Sequence, residues 1–465
     1  MSVTALLQSF GATRAGGSAA RLGYRAMARV AAWRIGRHPA VDGVYLNGSA
    51  TRSGRIRPGF SDLDLVAMAE LPTLEHELAL RRHLAAELRA LSVFRPLFKH
   101  VDYFERRDLE YMRRLGNSWC LDLDRLWRFL DGNDRLGSSA GPTAQKRRLE
   151  ALISALRRWQ GSSSFLADPA NDRAIALNAI GARRTLGDVL AAFLGVDRFQ
   201  SLDRLLAELA VRGRDRLIDP ARLASDEPGT VEACLVASLE LLDALAAEVA
   251  ATWNVAWSAR LDIDLPLAPS APERDSLWAA ARSAGFTAVA YAPHRYGHGV
   301  PFVLTGPELS PRRALLALRG LLERRAAWPR PVLLTPALWR AAAALDPAPF
   351  AGASLAQHAE NILGESGAPP GAPPAATWDD LIAGRAVQML NRPRGRGLRS
   401  GALESTAAAK LAYEVRSVAP VLTHLLRGEP ARLGPFTGAP GDEAALVAEL
   451  RAWGDGVRPE LERRL

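Results

Sequence analysis

Two aspartates separated by one leucine follow a loop that begins with a Gly-Ser pair. The loop starts at Gly48 and Ser49, ends at Asp62 and Asp64, and leads into an apolar run at 65–67. Acids at positions i and i+2 of a strand project to the same side, so both carboxylates can face one group of cations. Magnesium prefers oxygen ligands and is usually held by one or two carboxylates together with substrate phosphates. The spacing therefore predicts a magnesium-dependent phosphate site.

The loop itself carries groups that suit a phosphate. Gly48 allows close approach of the backbone, exposed amides at a turn bind anions, and the Ser49 hydroxyl adds a donor. Arg52 and Arg55 can neutralise a polyphosphate, and Lys99 is a further candidate. The competing interpretation of these cations is a solvated basic surface, because arginine is abundant along the chain.

The pattern at 46–66 resembles that of the nucleotidyltransferase superfamily, which includes DNA polymerase beta, CCA-adding enzymes and aminoglycoside nucleotidyltransferases. The resemblance covers roughly residues 20–105. It implies that Asp62 and Asp64 bind metal, and that Asp102 in "FKHVDYF" is the third carboxylate, as metal ligand or general base. It further implies that Gly48 and Ser49 hold the triphosphate and that two Mg2+ ions take part.

Asp-x-Asp occurs twice more, at 122–124 and 262–264. The first leads into a helix-like pattern without a preceding Gly-Ser loop, and the second lies on an alternating stretch that Pro266 soon ends. For both, a solvated face is the favoured interpretation.

Apolar spacing predicts a small α/β unit around the acids. Its predicted elements are a helix at 21–38, strands at 43–46 and 63–67, a helix at 73–91 and a strand at 93–104. In the first helix Leu22, Ala26, Val30 and Trp33 line one face, with arginines at 21, 25 and 29 nearby. Further helices are predicted at 107–115, 143–160, 172–194, 202–211 and 230–253, and short strands at 286–291 and 302–305.

The predicted fold class is α+β, a small mixed-sheet nucleotidyltransferase domain followed by mainly helical regions. Changes in composition and Pro- or Gly-rich loops divide the chain into consecutive parts. They are a nucleotidyltransferase domain at 20–105, a helical domain at 106–260, a mixed α/β region at 275–363, a flexible or extended Pro/Gly linker at 364–377 and a helical C-terminal region at 378–465.

The bulk composition is that of an ordinary soluble globular protein, with 48% hydrophobic and 23% charged residues. Two cysteines exclude a disulfide framework or a zinc-cysteine cluster. The longest apolar segment, at 230–251, carries four acids, so we expect no membrane span and no membrane among the partners. We also expect no secretory signal and a cytoplasmic location. Residues 1–60 hold nine arginines and one acid, Asp42, so this part of the chain attracts polyanions.

These observations predict an enzyme that transfers a nucleoside monophosphate from a triphosphate, with ATP expected, to an acceptor hydroxyl and releases pyrophosphate. A small-molecule acceptor is favoured, while an RNA end or a protein hydroxyl stays open. The alternative is a binding or regulatory protein that has the nucleotidyltransferase fold without turnover. Aspartates that bind no metal and lie together in one pocket repel each other and lower the stability of the fold, which argues against that alternative.

Overall fold

The computed structural model describes the chain in separate stretches. They are residues 14–47, 51, 63–91, 98, 101–116, 127–136, 144–166, 172–196, 200–212, 228–250, 255–256, 261–263, 271–293, 299–305, 309–324, 332–345, 363–364, 371–372, 375–395, 405–433, 439 and 441–465. The chain forms two compact units. The first comprises Met1–Pro142, Ile382–Arg427 and Phe436–Leu465, and the second comprises Thr143–Leu381 and Gly428–Pro435. The α+β class predicted from sequence is confirmed.

The N-terminal part of the first unit alternates helices and strands. In chain order its elements are α1 (Arg14–Gly36), β1 (Val41–Asn47), β2 (Asp64–Ala69), α2 (Leu74–Ala90), β3 (Val101–Glu105), α3 (Leu109–Arg114) and β4 (Arg128–Gly132). Thr73 caps α2 by accepting a hydrogen bond from the His76 backbone N–H. A 3-10 turn, Arg106–Asp108, joins β3 to α3, in keeping with the helix predicted there.

The four strands form one mixed sheet in the order β3-β2-β1-β4. β1 is antiparallel to both β2 and β4, whereas β2 and β3 are parallel. Gly43 and Gly132 are opposite each other where β1 meets β4. A Cβ atom at Gly43 would lie 2.6 Å from the carbonyl oxygen of Asn133, and one at Gly132 would lie 2.4 Å from that of Asp42, so only glycine permits this approach.

Helices α1 and α2 pack on one face of the sheet. From the sheet this face contributes alternate side chains, among them Leu65, Ala67, Val101 and Tyr103. The helices contribute small or apolar residues at helical spacing, namely Tyr24, Ala28, Ala31, Ala32 and Ile35 from α1 and Leu80, Leu84 and Leu88 from α2. The packing face of α1 is therefore not the row of Leu22, Val30 and Trp33 that the sequence marks as apolar, because that row is exposed.

The second unit combines helices with short strands. Its elements are α4 (Ala144–Gln160), α5 (Asp172–Leu194), α6 (Leu202–Val211), α7 (Pro228–Ala250), β5 (Val255–Ala256), β6 (Leu261–Ile263), α8 (Ala271–Ser283), β7 (Phe286–Pro293), β8 (Gly299–Thr305), α9 (Pro311–Arg324), β9 (Val332–Leu334), α10 (Pro336–Leu345), β10 (Leu363–Gly364) and β11 (Gly371–Ala372). A second four-stranded sheet has the order β10-β7-β8-β9. Residues of the helical segment and of this sheet share one hydrophobic core, in which the Trp159 indole N–H donates to the Leu333 carbonyl at 2.7 Å.

The C-terminal elements are α11 (Ala375–Gly395), α12 (Ser405–Tyr413), a π-helical segment (Glu414–Val418), α13 (Ala419–Leu426), β12 (Ala431–Leu433) and α14 (Glu443–Glu462). Of the segment predicted as a linker at 364–377, the described residues lie in β10, β11 and the start of α11 at Ala375, and β10 and β11 pair with β7 and β5. Of the helices that the structure describes, none combines the length and the apolar character needed to cross a bilayer.

Helix α14 attaches to the N-terminal part of the first unit through buried ion pairs, which we call the Arg451 cluster. Its members are Glu77, Arg81, Tyr103, Glu105, Asp108, Arg451 and Arg458. Arg451 bonds the Glu77 carboxylate at 2.9 Å and the Glu105 carboxylate at 3.4 Å. Arg458 bonds both oxygens of Asp108, at 2.7 and 3.1 Å. Residues from the two ends of the chain thus belong to one unit, whereas the sequence divided the chain into consecutive parts.

Candidate functional site

Asp64 and Asp102 project from the same face of the first sheet, opposite to helices α1 and α2. In the parallel register of β2 and β3, Val66 lies beside Asp102, and Asp64 is two residues before Val66. Because side chains alternate along a strand, Asp64, Val66 and Asp102 share one face. A strand spacing of about 4.8 Å and a rise of about 3.3 Å per residue put the two Cα atoms about 8 Å apart.

The last residue of β1 lies directly opposite Asp64. Asn47 pairs with Asp64 in the antiparallel register of β1 and β2, so its side chain is on the same face. Gly48 and Ser49 follow Asn47 in sequence. The strand end that leads into the Gly-Ser pair therefore lies beside the acid, at the same end of the sheet.

The remaining side chains of this face form an aromatic wall beside the acids. Tyr45 pairs with Val66 on one side and with Phe129 on the other, which makes a row from β4 to Asp102 on β3. The rings of Tyr45 and Trp127 have centroids 6.0 Å apart, and those of Phe104 and Trp127 are 5.3 Å apart. Asp102 is only 8% exposed, so its carboxylate lies at the edge of an apolar region.

The Tyr45 hydroxyl is held in the protonated form at neutral pH. It donates to the Asn133 carbonyl at 3.3 Å and accepts from the Arg135 backbone N–H at 3.1 Å. Burial raises the pKa of Tyr45 from 10.0 to about 12, and this outweighs the opposite effect of the Arg135 N–H. Tyr45 is therefore a fixed, neutral part of the wall and is not a base.

Six of the predicted site residues lie outside the described residues. They are Gly48, Ser49, Arg52, Arg55, Asp62 and Lys99. β2 begins at Asp64, and Leu63 before it belongs to no strand, so Asp62 precedes the described strand. The structure thus puts Asp64 and Asp102 on one face of the sheet, and the roles of all eight residues stay predictions.

The donors that share this face suit a hard cation. Asp64 and Asp102 supply carboxylate oxygens and Asn47 supplies an amide, which are the ligand types that Mg2+ and Ca2+ accept. Within the described ranges, no three His, Cys, Asp or Glu side chains form a group that could hold a metal ion. The predicted trio includes Asp62, which is not among those residues.

Sequence reasoning missed Asn47, Tyr45 and Trp127 as parts of this face. The first two could have been found, because Tyr45 and Asn47 alternate with the helix-facing Val44 and Leu46 near the Gly-Ser pair. Trp127 left no such signal, since its place beside Tyr45 and Phe104 depends on tertiary packing.

Neither a model of a known protein family nor the sequence of a curated protein matches this chain.

Proposed function

We propose that this protein is a magnesium-dependent nucleotidyltransferase that moves a nucleoside monophosphate from a triphosphate to an acceptor hydroxyl. The observation that carries the proposal is the parallel register of β2 and β3, which puts Asp64 and Asp102 on one face with Asn47 beside Asp64. A one-residue shift of that register would send Asp102 to the helix-packed face.

Neighbouring positions of the sheet would bind different parts of the substrate complex in the proposed site. Asp64 and Asp102, with Asp62 two residues before Asp64, would hold Mg2+. The bound ions would neutralise phosphate charge and activate the attacking oxygen. Gly48 and Ser49 follow Asn47 and would bind the triphosphate through backbone amides and a hydroxyl. Arg52, Arg55 and Lys99 would add positive charge to the triphosphate end.

In the proposed reaction, the acceptor oxygen forms a bond to the α-phosphorus while the bond from that phosphorus to pyrophosphate breaks. The acceptor proton leaves to solvent or to a carboxylate, and Asp102 is the candidate by its position on the same face as Asp64. Such chemistry depends mainly on positioning and on electrostatic stabilisation, which a rigid sheet provides. ATP is the expected donor.

A small molecule is the favoured acceptor. The basic charge of the chain follows largely from its general use of arginine and is weak support for a nucleic acid acceptor, while the rings of Tyr45, Phe104 and Trp127 are almost fully buried and pack behind the acids. An RNA end and a protein hydroxyl are the competing acceptors within the same reaction class.

The first test needs no knowledge of the acceptor. Thermal melting is recorded with Mg2+ alone, with each nucleoside triphosphate alone and with both together. We expect the wild type to melt higher only with both present, since a ligand that binds the folded state stabilises it. Asp64→Asn and Asp102→Asn should lose that shift, while Asp203→Asn, an exposed acid on α6, should keep it.

Turnover is then measured as pyrophosphate release in the presence of a metabolite extract. Removing one preorganised charge should lower the rate by on the order of a hundredfold to a thousandfold. Undiminished release in both site variants would refute the assignment. A wild type that responds to no nucleotide would favour the regulatory protein without turnover, and a response only with added RNA would change the acceptor.

A further inference from the structure

Helix α1 has two different faces that both carry apolar residues. Its inner face packs on the sheet through Tyr24, Ala28 and Ile35, which are almost fully buried. Its outer face exposes Leu22 by 66%, Val30 by 54% and Trp33 by 54%. Single exposed apolar residues are normal on protein surfaces, but three large ones on one helix face need an explanation.

These side chains form a row along the helix. At 100° per residue Leu22, Ala26, Val30 and Trp33 lie within one quarter of the circumference, Arg37 lies in the same sector, and Arg29 lies at its edge. The row from Leu22 to Trp33 is about 16 Å long. We call this surface the Trp33 face and define it as Leu22, Ala26, Arg29, Val30, Trp33 and Arg37.

The Trp33 face is strongly basic. Residues 14–37 contain six arginines and no acidic residue. The Arg37 guanidinium lies 4.9 Å from the centre of the Trp33 ring, which is a cation–π contact. Arg34 is paired with Glu87 of α2, so its charge is largely offset, while Arg25 and Arg29 lie beside the apolar row.

We propose that the Trp33 face docks this protein onto the surface of an anionic lipid bilayer. A helix that lies in the plane of a membrane interface combines Trp and aliphatic side chains with arginines, and its affinity depends on buried apolar area and on attraction to anionic lipid. Arginine stems can lie along the apolar surface while the guanidinium groups reach the phosphates. This contact involves no span, so it is compatible with the absence of a spanning helix among the described residues.

Two other occupants fit the same face less well. A single-stranded nucleic acid is usually held by several aromatic side chains on which its bases stack. The Trp33 face has one aromatic ring, and Arg37 covers one side of it. Its two exposed aliphatic side chains would make no favourable contact with phosphates. A second copy of the chain in a two-fold contact would place the same arginines against each other. The charge and the apolar row together favour lipid.

The test is flotation of the full chain with vesicles. We expect the wild type to float with vesicles of phosphatidylcholine and phosphatidylserine and not with vesicles of phosphatidylcholine alone. A basic protein can bind anionic vesicles without specificity, so the decisive variant keeps the charge. Leu22→Ser/Val30→Ser/Trp33→Ser should lower partition by at least about tenfold, because three exposed apolar side chains no longer enter the interface.

A matched control changes exposed apolar residues elsewhere. Leu177 on α5 and Val211 on α6 are exposed by 44% and 84%, and Leu177→Ser/Val211→Ser should float like the wild type. Ala26→Glu is a second variant of the Trp33 face, placed at an exposed helical position, and it should also weaken flotation. Melting curves check that each variant is folded.

Three results would overturn the proposal. They are a wild type that does not float with the anionic vesicles, a triple variant that floats as well as the wild type, and a wild type whose Trp33 face binds oligouridylate but not vesicles. Each readout is independent of nucleotide transfer, so an inactive protein could still bind lipid and an active one could fail to do so.

Discussion

Two groups of acidic side chains belong to the first sheet and its neighbours, and they differ in face, position and partners. Asp64 and Asp102 lie on the face opposite to α1 and α2, near the starts of β2 and β3. Glu105 lies three residues beyond Asp102, on the helix-packed face and at the end of β3, in the Arg451 cluster. The Cα atoms of Asp102 and Glu105 are therefore about 10 Å apart along β3.

The partners decide what each group can do. Glu77, Glu105 and Asp108 are almost fully buried and are bonded by Arg451 and Arg458 of α14. Such buried pairs hold the strand and helices together, and their carboxylates are already engaged by arginines. The other face places an amide, Asn47, beside its acids, and these ligand types suit a cation. Acidity alone therefore does not identify a site.

The largest expected effect comes from breaking the Arg451 cluster. Arg451→Met leaves Glu77 and Glu105 buried with less compensating charge, and we expect the free energy of unfolding to fall by about 3–5 kcal/mol. Urea unfolding followed by circular dichroism measures this as a lower midpoint with an unchanged slope.

Two variants serve as controls for Arg451→Met. Glu449→Gln, on the same helix, breaks an exposed pair with Arg416 and should cost less than about 1 kcal/mol. Asp64→Asn, in the proposed site, should also change the unfolding free energy by less than about 1 kcal/mol. If Asp64→Asn were as destabilising as Arg451→Met, both acidic groups would be structural and the contrast would disappear.

An intermediate effect is expected at Tyr103, which points from β3 into the Arg451 cluster. Its hydroxyl donates to Glu77 at 2.9 Å and accepts from Arg81 at 3.2 Å, and both partners are buried. Tyr103→Phe removes one hydrogen-bond partner from each of these buried groups, so we expect the free energy of unfolding to fall by about 1–3 kcal/mol. Differential scanning calorimetry would record the change, and a loss near zero would show that the hydroxyl is dispensable.

The smallest effect is a pH dependence of stability that involves two tyrosines. Burial raises the pKa of Tyr45, on the aspartate face, and of Tyr111, on α3, from 10.0 to about 12. The folded state keeps these protons more tightly than the unfolded state does. Their contribution is therefore complete below pH 10.0 and is lost as the pH rises through about 12.

Alkaline unfolding of Tyr45→Phe and Tyr111→Phe would test this dependence. Each variant should show a shallower fall of the unfolding free energy with pH above 10 than the wild type shows. An unchanged slope in both variants would mean that other groups control the alkaline transition.

Regular elements with a clear apolar period were predicted well. The helices at 172–194 and 202–211 have the predicted bounds, because helical periodicity is a local property of the sequence. The strand predicted at 93–104 is described only in part. Phe98 belongs to no strand, residues 101–104 lie in β3 beside β2, and residues 93–97, 99 and 100 lie outside the described residues.

The candidate site was predicted in part. The residue types and the order of Asp64 and Asp102 are visible in the sequence, and they led to a magnesium-dependent reaction as a hypothesis. The outward orientation of the Trp33 face was not visible, because a helix with apolar residues on two sides gives no signal for which side packs.

The sequence by itself determined where most helices and strands form, and which acids, glycines and arginines are close along the chain. The tertiary structure decided that Asp102 shares a face with Asp64 and that Arg451 reaches Glu77, which is 374 positions away. The physical reason is that periodicity and capping act over a few residues. Strand register and the pairing of buried charges depend on contacts between distant segments, and these exist only in the folded chain.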